Sequence, residues 1–372
     1  MAHSEPVPHA RLSDTPVTGE ARRGTHRPAG RRAAGQAEAY FAALMQGSLF
    51  DPGAGPRAAV PTNLPAPTDR PTAAGPWTLG RAVGRGGTAV VYAAHLALPG
   101  DGGETRAVVK LARTGLSPDA LACFGTEARL LPLVASRGVV RLCGAGHLPD
   151  GRPYLALERV PGVPVTRYAR GMPVRGRLAA FRDVCTAVAT VHRCGVVHCD
   201  LKPSNVLVSK SGHVTLLDFG IAQRLSGETG PRRAPLMTLD YAAPEQYLGA
   251  PVSPATDVYS LGLVLHDLLC GRRRRVPWGL SGGGETVFSG TLTCALATGP
   301  DGPNRFEPVD VEAMWFNLKS TRLDWRVEGV IRTALETDPG RRYASAAELG
   351  LAVEHVLGAV PAGIVTATHS PT

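Results

Sequence analysis

Lysine is nearly missing from this chain: of 40 basic residues, only Lys110, Lys202, Lys210 and Lys319 are lysine. Where arginine is the default, a retained lysine marks a place that needs a compact point charge, not a planar fork. Cysteine is sparse as well. The seven are scattered and odd in number, with no C-x-x-C pair, which excludes a disulfide framework and fits reduced thiols. His192, Cys194, His198 and Cys199 do gather, but their spacing matches no standard structural zinc site. No apolar run approaches the ~20 residues of a membrane span, the longest being Leu261 to Leu265. The N-terminus lacks a hydrophobic signal region, so the expectation is a soluble, cytoplasmic protein without a membrane span. Net charge is +9, but much of it sits in residues 1–76 and in Arg272-Arg273-Arg274-Arg275. No nucleic-acid partner is expected from charge spread in this way, and the four arginines read as a solvated basic loop.

What is present is a 44% apolar chain of 372 residues, enough for one sizeable domain with extensions or two modest ones. Residues 1–76 are rich in Ala, Arg, Pro and Gly and are expected to be disordered, since they cannot bury enough surface to offset their ordering entropy. Within them, Gln36 to Phe50 can place Tyr40, Phe41, Leu44, Met45 and Leu49 on one helical face. Residues 51–76 read as a Pro-rich linker, and order is expected from about Trp77.

The chemistry concentrates in His198-Cys199-Asp200-Leu201-Lys202-Pro203-Ser204-Asn205, flanked by apolar Val196-Val197 and Val206-Leu207-Val208. Such flanks read as short buried strands holding a polar loop. An Asp that can accept a hydroxyl proton, a Lys that can neutralise a phosphoryl oxygen and an Asn that can ligate a metal suit phosphoryl transfer. Upstream, Gly84-Arg85-Gly86-Gly87-Thr88 lies between two strands, an arrangement that argues against a dinucleotide site or a P-loop. Ala107-Val108-Val109-Lys110 is an apolar strand ending in a rare lysine. Ser117-Pro118 then opens a helix whose apolar side carries Glu127 with Phe124, Leu130 and Leu131. An acid among apolar neighbours needs a partner, and Lys110 is the candidate. Farther on, Val174, Leu178, Phe181, Val184, Cys185, Val188 and Val191 mark a long amphipathic helix. Asp257, at the apolar start of the helix opened by Ser253-Pro254, needs N–H donors in the same way. No helix is evident between residue 271 and Val311. Val327, Val330, Ile331, Ala334 and Leu335 mark a late helix, and Ser345 to Glu348 form a capping box before the last one.

H-x-D-x-K-P-x-N resembles the catalytic loop of bacterial eukaryotic-type (Hanks-type) serine/threonine protein kinases, and further family pieces follow in order. The resemblance implies an α+β, two-lobed kinase fold: a small, mostly antiparallel β lobe with one main helix, and a larger helical lobe. It covers residues 77–358, divided into N-lobe 77–158, hinge 159–163 and C-lobe 164–358, with a variable segment at 271–325 and a loose tail at 359–372. It implies ATP and Mg²⁺ as cofactors and protein substrates with Ser/Thr acceptors, and leaves the oligomeric state open. Gly84, Gly86, Gly87 and Val91 would form the lid over the phosphates, with Ala89 replacing the usual third glycine. Val108, Lys110 and Glu127 would hold the nucleotide, Leu157 would screen the back pocket, and Glu158, Val160 and Leu207 would border the adenine. Asp200 would be the base, Lys202 would stabilise the transferring phosphoryl group, Thr238 would hydrogen-bond both Asp200 and Lys202, and Asn205 and Asp218 of Asp218-Phe219-Gly220 would bind metal. Ala243-Pro244-Glu245 resembles the end of the activation segment, with Glu245 paired to Arg342. Cys199 stands where many members carry Arg, so this is a non-RD loop, and activity is expected not to depend strictly on a phosphate at Ser226 or Thr229. A nucleotide-binding pseudokinase scaffold and a small-molecule kinase of the aminoglycoside-phosphotransferase type are the alternatives.

Overall fold

The computed structural model describes residues 71–97, 104–225, 238–270 and 323–359. The expected helix at 36–50, Ser226, Thr229 and the arginine run 272–275 lie outside these residues. The first lobe is a six-stranded antiparallel sheet in the order β1-β2-β3-β4-β6-β5. Its strands are β1 (Ala73–Ala74), β2 (Trp77–Arg85), β3 (Ala89–Ala97), β4 (Glu104–Ala112), β5 (Leu142–His147) and β6 (Pro153–Glu158). The fold therefore begins slightly before Trp77, because Ala73–Ala74 pairs with Trp77–Thr78.

Register decides what each face of this sheet can do. Val91 lies opposite Lys110, and Lys110 opposite Leu155; Val108 lies opposite Leu157. Side chains alternate across a strand, so Val91, Val108, Lys110, Leu155 and Leu157 share one face. Tyr92, Val109, Leu111, Tyr154 and Ala156 fall on the other, where with Trp77 and Leu148 they form a small core of their own. The first face meets α1 (Pro118–Leu130). That helix starts where expected: the Ser117 hydroxyl accepts the Ala120 N–H, and Pro118 fills the first turn. Phe124, Glu127 and Leu130 are buried on its inner side, followed by Leu131. Burying Phe124 and Leu131 contributes about 1.5–3 kcal/mol each.

The second lobe is mostly helical. β7 (Val163–Pro164) and α2 (Val165–Tyr168) lead to α3 (Val174–Arg193), whose predicted apolar stripe is buried from Leu178 onward, with Val174 partly buried. After β8 (Val196–Val197), the hairpin β9 (Val206–Val208) and β10 (Val214–Leu216) turns through Gly212 at φ 82°. β11 (Gln223–Arg224) pairs with β8. α4 (Pro244–Leu248), α5 (Pro254–Cys270), α6 (Trp325–Ala334) and α7 (Ala346–Ala359) follow. α5 is enclosed along nearly its whole length, and Gly262 lets α6 approach so closely that an added Cβ would lie 3.0 Å from Ala334. At the start of α7, Ser345 accepts the Glu348 N–H, while the Glu348 carboxylate reaches Ala344, one residue short of the expected reciprocal bond. β7 pairs with β9 inside the second lobe, while the lobes are tied by the segment after α1. There the Val140 N–H reaches the Leu216 carbonyl at 3.0 Å, and the Leu216 N–H reaches the Gly138 carbonyl at 2.9 Å.

Candidate active site

The loop from His198 to Asn205 leaves the core at β8, closes in a single 3-10 turn at Pro203–Asn205 and re-enters at β9. Asp257, fully buried in the first turn of α5, is its anchor. One carboxylate oxygen accepts the His198 N–H at 2.8 Å and the other the Cys199 N–H at 2.8 Å. His192, from the end of α3, adds a contact at 2.9 Å that sequence reasoning did not supply. Burial by itself would raise the pKa of Asp257; the bond and charge of His192, with the backbone donors, outweigh it and hold the carboxyl below its ordinary value. The same bonds fix Cys199 at φ 65°, a left-handed conformation costing a non-glycine residue ~1–2 kcal/mol. Gln246 of α4 adds a further tie, donating its side-chain amide to the Cys199 carbonyl at 2.8 Å.

His198 is a packed brace. Its Nδ1 accepts the Asp200 N–H, so Nε2 carries the proton and donates to the Leu217 carbonyl at 2.9 Å. Its ring packs 4.6 Å from that of Phe219. Cys194 is exposed, and the buried Cys199 thiol faces the Val197 carbonyl. Among the described residues no group of three or more His, Cys, Asp or Glu side chains is placed to hold a metal ion.

The polar side chains of the loop converge on Asp200. Lys202 Nζ lies 2.7 Å from its carboxylate and donates to the Thr238 hydroxyl at 2.6 Å. Lys202 thus bridges Asp200 and Thr238; no direct bond joins those two among the described residues. Asn205 donates its side-chain amide to the Asp200 carbonyl at 2.9 Å and to its carboxylate at 3.0 Å. Its own carbonyl oxygen is therefore turned away from Asp200.

A second cluster comes from the sheet lobe. Lys110 Nζ lies 2.7 Å from Glu127 and 2.7 Å from Asp218. The pairing expected of Lys110 and Glu127 is present, with Asp218 as a further partner. Burial works to lower the pKa of Lys110, but the carboxylates of Asp218 and Glu127 raise it well above the usual lysine range. Burial pushes Glu127 up, and Lys110 pulls against it. Asp218 is also desolvated, yet Lys110 first and then Lys202 bring it down to about 2. The two clusters meet through the backbone: the Leu217 N–H donates to the Asn205 carbonyl at 2.9 Å, which sets Asp218 beside the Asp200 loop. Asp218 sits at φ 62°, a second non-glycine residue in left-handed backbone. Phe219 is fully buried beside it, and a Cβ added to Gly220 would lie 3.4 Å from both the Asp218 carboxylate and the Cys123 Cβ of α1.

The remaining sequence-predicted residues fall into place around these. Val91, Val108 and Leu157 lie on the Lys110 face by register, and Leu207 sits half-buried on β9. Gly84 and Gly86 have room for a Cβ at ordinary contact distance, and none of Gly84, Gly86 and Gly87 has positive φ. What glycine provides there is clearance for something lying on the loop. Val160 is half-buried where β6 runs out. Glu158 is engaged with Arg141, accepting its N–H at 2.9 Å and donating its own N–H to the Arg141 carbonyl. At the base of the site, Arg342 forms two bonds to Glu245 at 2.8 and 2.9 Å, as expected, and lies over the Tyr259 ring.

Comparison with known proteins follows the same outline. The family described as the protein kinase domain matches residues 77–294. The chain is 31% identical to the serine/threonine-protein kinase Pkn1 of Myxococcus xanthus, over 76% of this chain and 38% of that protein. It is 30% identical to the serine/threonine-protein kinase PknB of Mycolicibacterium smegmatis, over 73% of this chain and 41% of that protein. The serine/threonine-protein kinase PknL of Mycobacterium tuberculosis is 28% identical over 63% and 54%. The chain thus spans about two fifths of the length of Pkn1 and PknB. With this family match over most of the described residues, the chain belongs to the protein kinase domain family.

Proposed function

We propose that this chain transfers the γ-phosphoryl group of ATP to Ser or Thr hydroxyls of proteins, with its kinase domain at residues 77–358. The observation carrying this reading is the cation Lys110 held between Glu127 and Asp218, with Asp200, Lys202, Asn205 and Thr238 across the same cleft.

The residues fit a magnesium–nucleotide complex. Mg²⁺ needs only one or two protein oxygens when phosphates and water complete its shell, so the lack of a larger acidic cluster is no obstacle. The Asp218 side chain is 40% exposed and ionised, and the Asn205 carbonyl oxygen is turned away from Asp200, so these two would hold the ion. When bound, Mg²⁺ neutralises charge on the phosphate oxygens. Lys110 is kept cationic and would pair with the inner phosphates. The sheet face bearing Val91, Val108 and Leu157, with Leu207 opposite, would enclose the adenine. Asp200 would orient the acceptor hydroxyl and take its proton. Its depth beside Lys202 and Asn205 keeps it in one pose, which is where the rate advantage of positioning arises. Lys202 would then stabilise the transferring group, with Thr238 holding Lys202 in place.

The loop is of the non-RD kind. Position 199 offers a buried thiol, not a guanidinium, and Asp257, Gln246 and His192 already hold the loop by other bonds. Activity is therefore expected without a phosphate clamp at this position. Incubating the protein with Mg-ATP and a generic basic protein should produce phosphoserine and phosphothreonine, and Asp200→Asn should remove it while ATP still binds. Absence of transfer by the unaltered chain would overturn the proposal. Loss of transfer in a Ser226→Ala, Thr229→Ala double variant that still binds ATP would overturn the clamp-independence.

A further inference from the structure

Beside the segment joining the lobes lies a cavity of about 520 Å³. Three parts of the fold frame it: the stretch from Leu131 to Leu142, the segment Glu158 to Pro161, and the β9–β10 hairpin through His213 and Thr215. Its apolar wall includes Leu131, Val139 and Leu142. Around them stand Arg137, Arg141, Arg159 and His213.

The charge here is one-sided. Glu158 is the acid in the wall, and it is committed to Arg141, whose N–H it accepts at 2.9 Å and whose Nε lies 3.8 Å away. Arg137 and Arg159 have no carboxylate partner among the described residues. The His213 ring donates to the Arg137 carbonyl at 2.5 Å, fixing the backbone from which one guanidinium projects. Ser136 lines the same cavity, and its buried hydroxyl has no hydrogen-bond partner among the described residues. A buried hydroxyl left unpaired is costly and calls for an explanation, which a bound acceptor would provide.

Volume and lining together define the ligand. The cavity lies within the ~300–1,000 Å³ range of small-molecule sites, larger than a free inorganic anion would fill. We propose that it is an effector site for a small amphipathic anion: one phosphate, sulfonate or carboxylate head between Arg137 and Arg159 with an oxygen near Ser136, and an apolar ring or chain on Leu131, Val139 and Leu142. The segment after α1 bonds directly to β10, so an occupant here touches both lobes and the strand end between them. Binding would bias how the cleft opens and, by linkage, nucleotide affinity would bias binding here. That coupling rests on the kinase reading; the binding itself does not.

The probe is 8-anilinonaphthalene-1-sulfonate, an aromatic body with one sulfonate, with uncharged N-phenyl-1-naphthylamine as its partner. Fluorescence titration of the full chain should show saturable binding of the sulfonate, tighter than that of the uncharged dye. Arg137→Gln combined with Arg159→Gln should weaken it by roughly tenfold, the size expected when charge-assisted contacts are lost. The melting temperature should be unchanged, since both side chains are exposed. Filling the mouth with Ala135→Trp should weaken both dyes. Asp200→Asn, which removes phosphoryl transfer on the kinase reading, should leave sulfonate affinity unaltered, so a failed kinase reading is distinguishable from a failed effector site. Equal affinity for the two dyes, or sulfonate affinity unmoved in the double arginine variant, would overturn the proposal.

Discussion

Replacing Asp257 with alanine removes the single anion on which the catalytic loop is hung. Its carboxylate accepts two backbone N–H bonds at 2.8 Å and contacts His192 at 2.9 Å, with no exposure to solvent. Hydrogen bonds to a charged group contribute roughly 1.5–3 kcal/mol each, and the two amides would be left buried and unpaired. The three contacts share one carboxylate, so they do not add in full. Letting Cys199 leave its left-handed conformation returns ~1–2 kcal/mol. The net loss should be about 3–5 kcal/mol, as for other buried charged networks missing one member. Urea unfolding followed by circular dichroism should show the midpoint falling by roughly 1 M or more. Asp257→Asn keeps the volume but turns an amide donor toward a backbone donor, and should lose about half as much. The pH dependence gives a second check. The carboxyl is depressed in the folded state, so its stabilisation is fully present above the unfolded value of about 3.9 and is lost as pH falls through the folded value. The gap between wild type and Asp257→Ala should be level from about pH 5 to 8 and narrow below about pH 4. A gap under about 1 kcal/mol at pH 7 would refute the reasoning, as would one that stays level in acid.

Lys110→Met should strand Glu127 in the core and destabilise the fold by about 3 kcal/mol. Adding Glu127→Gln should recover at least half of that, and a strictly additive double-mutant cycle would show that the two are not coupled. Thr238→Val removes the hydroxyl 2.6 Å from Lys202, so kcat for a peptide should fall roughly 10- to 100-fold while KM for ATP holds; an unchanged kcat would remove Thr238 from the site. Gly262→Val forces side-chain carbon against Ala334 and Leu335, where even a Cβ would lie at 3.0 Å, and should cost about 2 kcal/mol in denaturant unfolding. Unaltered stability there would mean that α5 and α6 can separate without loss.

How much of this could be read from the residues follows a physical line. Buried charges announce themselves: Glu127 and Asp257 each lie on an apolar helix face where an unpaired carboxylate is untenable, so a partner was required before any coordinates. Caps and stripes are local and equally legible, as Ser117 and the inner face of α3 demonstrate. Other features depend on distant parts of the chain. Nothing local to Cys199 or Asp218 demands positive φ; at Cys199 it is imposed by Asp257, about 60 residues away, by the loop geometry that bond fixes. His192 and Gln246 carry no sign that one meets Asp257 and the other the Cys199 carbonyl. Ala73–Ala74 pairs through backbone alone, with no alternation to mark it as a strand. The cavity beside the lobe junction is assembled from three separated segments, so neither its volume nor its surplus of arginine is visible along the sequence.

The scarcity of lysine makes the central claim directly measurable. An ATP acyl phosphate delivers its acyl group to lysines lying beside bound phosphates, and this chain has only Lys110, Lys202, Lys210 and Lys319 to receive it. Peptide mass spectrometry should find the label on Lys110 and Lys202, with both protected by excess Mg-ATP and Lys210 and Lys319 unmarked. Label spread over all four without protection, or missing from Lys110 and Lys202, would contradict a cleft built around the nucleotide's phosphates.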